Sequence, residues 1–126
     1  MTNLRSEIRA CLRALSGVGM EHVTGDLVFP DGFTAFKGHF PGDPILPGVC
    51  VIDAVLVLLE DAFKQALTLR KVVSAKFHSP IRPGVTVRIH CKDLSRDGSV
   101  LRGKALAEVE GKKAATLLLE FTCDEA

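Results

Sequence analysis

The segment GHFPGDPILPGVCVID, residues 38–53, carries one histidine, three prolines, three glycines and two aspartates, and runs into a strongly apolar stretch. Each proline fixes φ. Gly42 and Gly48 permit tight turns and close backbone approach. Such a loop holds a side chain such as His39 still, which catalysis requires and mere connection does not. Pro47 and Gly48 open a helix predicted over residues 48–67. That helix is apolar nearly all round through Leu59, and a helix hydrophobic on every face is expected to be buried on every face.

Asp53 lies about one and a half turns into this helix. Its neighbours at three and four residues' distance are Val49, Cys50, Leu56 and Val57, and no Lys or Arg occurs between residues 38 and 63. A carboxyl without a counter-charge in an apolar setting keeps its proton to higher pH. A protonated acid can then serve a leaving group. The bland alternative is an exposed Asp53, or one satisfied by a distant basic side chain.

Fourteen residues upstream, His39 offers an imidazole whose neutral form can remove a proton. Alone it would read as an ordinary loop histidine. Gly48, at the start of the helix, has an amide with no intrahelical acceptor, and the helix dipole adds positive character. That suits a carbonyl oxygen gaining negative charge, although a lone glycine would signal only a turn. Base, acid and oxyanion donor together suit β-elimination of water from a 3-hydroxyacyl compound.

Outward from this segment, the 126 residues fit one domain, 1–126, and 47% hydrophobic content suffices for a core. The net charge is +1, no basic run occurs, and Trp and Tyr are absent, so nucleic-acid binding is not expected. The cysteines at 11, 50, 91 and 123 form no CxxC pair and read as small core hydrophobes in a reducing compartment. No metal is expected, because their spacing is too long for a zinc site. Arg5, Glu7, Arg9 and Arg13 interrupt the early apolar residues, unlike a secretory leader. The greasy run 45–59 is shorter than the roughly 20 residues a membrane span needs. A soluble, cytoplasmic protein is expected.

Residues 3–15 carry Leu4, Ile8, Cys11, Leu12 and Leu15 at helical spacing, with Asn3 as the cap. Short strands are expected over 21–29 and 33–37, joined through Pro30-Asp31-Gly32. After the buried helix, a strand over 72–78 stops before Pro80 and Pro83-Gly84. Val85, Val87, Ile89 and Cys91 then alternate with polar residues as a half-buried strand. Arg96-Asp97-Gly98 and Glu110-Gly111-Lys112 signal hairpins between apolar faces over 101–109 and 115–123. His90 falls on the polar side of its strand. The fold class is α+β, an antiparallel sheet curled around one buried helix.

HFPGDPILPGVCVIDA resembles the active-site segment of FabA/FabZ-type 3-hydroxyacyl-acyl-carrier-protein dehydratases, whose pattern runs HFPG-x-P-x-x-PG followed by an apolar run ending in Glu or Asp. KFHSPIRPG, residues 76–84, resembles a second segment of that family, KF-x-x-P-x-x-PG. The resemblance implies the hotdog fold, with His39 as catalytic base, Gly48 as oxyanion donor and Asp53 as catalytic acid. It also implies a homodimer, each site taking its histidine from one subunit and its acid from the other. The acyl chain would run along a tunnel at the subunit interface, acyl carrier protein would deliver the substrate, and no cofactor would be needed.

Asp53 matches the FabA branch rather than the Glu of the FabZ branch. Val57 stands where a Gln is common, His78 and Ser79 replace a basic pair, and Val85 replaces an Asp. These departures suggest a divergent branch, similar to dehydratases of aryl-polyene or other specialised lipid pathways. Lys76, Arg82 and Arg88 are candidates for a basic rim that meets an acidic carrier. Two other functions fit the same shape: a hotdog thioesterase, or a non-catalytic acyl-binding subunit.

Overall fold

A computed structural model describes residues 3–17, 21–37 and 42–124. Two helices and six strands follow one another as α1 (Leu4–Ala10), β1 (Leu12–Ser16), β2 (Val23–Val28), α2 (Gly48–Phe63), β3 (Leu67–Phe77), β4 (Thr86–Asp97), β5 (Val100–Val109) and β6 (Lys112–Cys123). The strands form one sheet in the order β1-β2-β4-β5-β6-β3, antiparallel at every pairing. The sheet curls around α2, the layout the hotdog resemblance implies.

Alternation puts Leu117, Leu119 and Phe121 of β6, and Val87, Ile89 and Cys91 of β4, on the inner face, all at most 2% exposed. From α2, residues 54–59 fill the space they enclose. Gly25 sets how closely helix and sheet approach, since a Cβ there would lie 2.6 Å from Leu58 Cδ1. Both predicted hairpins form. Gly98 (φ 62°), and Glu110 (φ 53°) with Gly111 (φ 78°), take the left-handed conformations that tight strand connections demand. The four cysteines are unpaired and buried, as core hydrophobes should be.

Five expectations are corrected. The helix expected over 3–15 ends at Ala10, and β1 begins at Leu12. Asn3 does cap it, its side chain accepting from the Ser6 amide at 2.8 Å. Beyond Cys11, pairing with β2 from Leu12↔Leu27 to Ser16↔Thr24 outcompetes the helical period. Residues 33–37 are not a strand but a single 3₁₀ turn, Thr34–Phe36. Phe33 and Phe36, three apart, both point into an aromatic cluster with Phe29, with ring centroids 5.1 and 5.8 Å apart. Helix α2 ends at Phe63, because Lys64 turns left-handed (φ 54°), and β3 starts at Leu67, well before residue 72.

The fifth correction concerns burial. In the single chain α2 is not covered on every face. Val49 is 57% exposed, and Ile52 and Asp53 are half-buried. Strand β3 forms the edge of the sheet and is exposed along most of its length, including Val72, Val73 and Phe77.

Candidate active site

In the first turn of α2 the Cys50 amide donates to the Pro47 carbonyl at 3.0 Å, while the helix offers no acceptor to the Gly48 amide. Pro47 occupies the N-cap in extended conformation and provides no side-chain hydrogen bond. Gly48 follows at the first helical position, where the helix itself has no acceptor for the amide. The Leu46 amide donates to the Ile81 carbonyl at 2.8 Å, tying this loop to the 78–84 segment. The Gly84 amide donates to the Phe29 carbonyl at 2.9 Å, which fixes the far end of that segment.

Between the two segments lies a cavity of about 390 Å³, whose walls include Pro47, Gly48, Val51, Phe77, His78 and Ile81. The two sequence motifs therefore meet in one place, although Gly48 and Phe77 are 29 residues apart in the chain. A Cβ at Gly48 would lie 2.7 Å from Cζ of Phe77. A hydrogen atom is what permits the helix start, the ring and the cavity to coexist.

Asp53 is half-buried on α2. Burial pushes its carboxyl above the usual carboxylate range, and the positive charge of Arg5 on α1 opposes the rise. Asp53 lies five residues beyond Gly48, about 140° around the helix, and is not part of the cavity wall. It shares an open face of α2 with Val49 and Ile52. Gly48 and Asp53 thus face different surroundings within one chain. The His39 expectation falls on residues 38–41, outside the described residues.

Other candidates sort themselves by partner. Arg88 is committed to Asp26 through two hydrogen bonds of 2.8 and 3.1 Å, and Arg82 is paired with Asp43. Of the three basic-rim residues, Lys76 on the exposed edge strand is the one that forms no ion pair among the described residues. His90 is half-buried on the outer face of the sheet, with Nε2 2.7 Å from Glu108 Oε1 and Nδ1 3.4 Å from Thr24 Oγ1. His78 Nε2 meets Thr116 Oγ1 at 2.9 Å. Val57 is fully buried in the core. Among the described residues, no three His, Cys, Asp or Glu side chains converge as a metal site. None of the described helices is long and apolar enough to cross a membrane.

Two contributors escaped the sequence reading. Phe77 could have been found, since it is the aromatic residue of the second motif. Arg5 could not, because only folding brings α1 against α2.

Residues 17–115 match the family model described as ApeI-like, ApeI dehydratase. The chain is similar to the 3-hydroxyacyl-[acyl-carrier-protein] dehydratase FabZ of Latilactobacillus sakei, 41% identical over 93 residues, covering 68% of this chain and 66% of that protein. It is similar to the FabZ of Clostridium botulinum at 34% over 113 residues, covering 84% and 74% respectively. The chain thus spans about two thirds of the length of the curated relatives it matches. Among solved structures, the dehydratase heterocomplex ApeI:P from Xenorhabdus doucetiae superimposes with a TM-score of 0.73 at 20% identity, covering 88% of this chain and 96% of that one. That likeness establishes the fold, and the family match rests on the 17–115 segment, which contains both motifs and the whole of α2. The chain belongs to the ApeI-like dehydratase family.

Proposed function

We propose that this chain removes water from a 3-hydroxyacyl thioester carried on acyl carrier protein, giving the trans-2-enoyl thioester. The observation that carries this reading is Asp53, a half-buried carboxyl with raised proton affinity on the same helix whose uncapped start opens on a cavity. His39 takes the proton from the carbon next to the thioester carbonyl. The Gly48 amide receives the negative charge that moves onto the carbonyl oxygen. Asp53 gives its proton to the β-hydroxyl, which leaves as water while the new double bond forms. Bonds and charges balance without a further reactant.

The split between Gly48 and Asp53 supports a homodimer in which one subunit provides the base and oxyanion donor and its partner the acid. The uncovered apolar residues Val49, Val72 and Val73, on α2 and the unpaired edge of β3, are where that second copy would pack. The names of the FabZ relatives specify acyl carrier protein, an acidic partner, and the exposed Lys76 near the end of β3 supports contact with such a partner. Four unpaired thiols suit the cytoplasm.

The test is incubation with a 3-hydroxyacyl thioester, following conjugated enoyl product by absorbance and free thiol by a chromogenic reagent. Enoyl product, abolished by His39→Ala and by Asp53→Asn, is the expected result. Free thiol without enoyl product would make the chain a thioesterase instead. Acyl binding with neither product would leave it a non-catalytic subunit.

A further inference from the structure

Alternation carries Val87, Ile89 and Cys91 of β4 to the inner face, and the same period would put Asp93 there next. The strand avoids this. Lys92 pairs with Lys104 and Ser95 with Arg102, so Asp93 and Leu94 together oppose Gly103. That is a β-bulge, with Asp93 left-handed at φ 53°. Gly103 makes room for it, since a Cβ there would lie 2.4 Å from Leu94 Cδ2. The extra residue shifts the phase of the strand. Asp93 is exposed and pairs with Lys104 at 3.5 Å, while Leu94 packs against the core. Arg96, two residues on, falls on the same face as Leu94 and pairs in register with the buried Leu101.

The bulge thus brings an arginine to the inner face of the sheet, where a cavity of about 200 Å³ opens past the end of α2. Phe63, Leu67, Leu94, Leu101 and Cys123 give it an apolar body. Arg96 stands in its wall with Glu21, Gln65 and Ser95. Two neutral acceptors orient the guanidinium: Nε donates to the Gly98 carbonyl at 3.1 Å, and Nη1 to Gln65 Oε1 at 3.3 Å. Among the described residues Arg96 forms no ion pair. Asp97 falls on the opposite face of the strand by alternation. The cavity shares no wall residue with the one beside Gly48. The length of α2, roughly 22 Å of helix, separates Gly48 from Phe63.

We propose that this cavity binds a medium-chain monocarboxylic acid, its chain lying among Phe63, Leu94 and Leu101 and its carboxylate on Arg96. The volume sets the chain. An apolar cavity of about 150 Å³ takes a six-carbon ring, so one of about 200 Å³ suits roughly two carbons more. The guanidinium sets the head, because its planar fork matches a carboxylate and its charge has no acidic partner. Glu21 in the same wall opposes a second negative charge and restricts the site to monoanions. The site is independent of the roles given to His39, Gly48 and Asp53, and stands or falls apart from them.

The experiment is a methyl NMR titration of the intact chain at neutral pH with butanoate, hexanoate, octanoate and 1-octanol. Octanoate should shift the methyls of Leu67, Leu94 and Leu101 saturably. Affinity should rise by about fourfold for each methylene added from butanoate to octanoate. Arg96→Gln should weaken octanoate by about tenfold or more and leave 1-octanol unchanged, with Arg96→Lys in between. Glu21→Gln should tighten octanoate. Leu101→Phe, which fills the cavity, should remove the saturable shifts at Leu67 and Leu94 while the thermal midpoint shows the chain still folded. No saturable shift with octanoate, or shifts confined to Val51 and Ile81 around the Gly48 cavity, would overturn the proposal. So would equal octanoate affinity in wild type and a folded Arg96→Gln.

Discussion

The two ends of α2 are built on opposite plans. At its end, Glu60 alone takes Arg9 through one oxygen and the Leu67 amide, at 2.9 Å, through the other. Its carbonyl accepts from the Gln65 amide at 3.3 Å, and Lys64 turns left-handed to close the helix. At its start there is no capping side chain, a glycine stands where a larger residue would strike Phe77, and a cavity adjoins. One end ties its polar groups to side chains and neighbouring strands, and the other has only the Cys50 amide bonded to the Pro47 carbonyl in its first turn. A helix of sixteen residues can afford this asymmetry because the buried stretch between the ends fixes it in the sheet. On the proposed reading, chemistry belongs to the end with fewer local ties, and the other end anchors the helix.

If this division is real, substitutions toward the open end should damage turnover while sparing the fold, and those at the closed end should do the reverse. The largest expected effect is Asp53→Asn, a loss of roughly 10²- to 10⁴-fold in kcat for enoyl formation. Next is Glu60→Ala, which strips an acceptor from the partly buried Leu67 amide and should cost about 1–3 kcal/mol of unfolding free energy in urea melts. Its specific activity, measured well below the melting transition, should stay near wild type. A large loss of kcat in folded Glu60→Ala would break the comparison.

Gly48→Ala should lower kcat/KM about tenfold, worth roughly 1.4 kcal/mol. The fold should tolerate it, since the ring it meets is 51% exposed and can swing aside. The smallest effect concerns pH. Asp53 has a raised folded-state pKa, so its contribution to stability is present below the ordinary carboxylate range and is lost as pH rises through its own pKa. Asp53→Asn escapes that loss. Its thermal midpoint relative to wild type should therefore improve from pH 4 to pH 8. A relative midpoint that falls instead would mean the ionised carboxylate is stabilising.

How much of this was legible in the residues follows the range of the forces involved. β4 to β6 were readable because period-two alternation and two glycine-bearing turns are local signals. The start of α2 was readable from Pro47 and Gly48, and the raised proton affinity of Asp53 from its apolar neighbours. β1 was not, because Leu12 and Leu15 suit a helix as well as a strand and only pairing with β2 decides between them. The 33–37 segment misled for a related reason. Phe33 and Phe36 look like strand formers until the cluster with Phe29 claims both rings. Arg88 and Arg82 looked like free surface charge in one dimension, and their acidic partners lie 62 and 39 residues away.

The four buried thiols make the molecule its own clock. Cys11 ends α1, Cys50 lies in α2, Cys91 in β4 and Cys123 in β6. Burial raises the first, pushes Cys50 to about 11 and Cys91 to about 12. Near neutral pH an alkylating reagent therefore meets little thiolate at these three until a region opens. Modification rates resolved cysteine by cysteine would show whether α2 loosens on its own or only when the sheet comes apart.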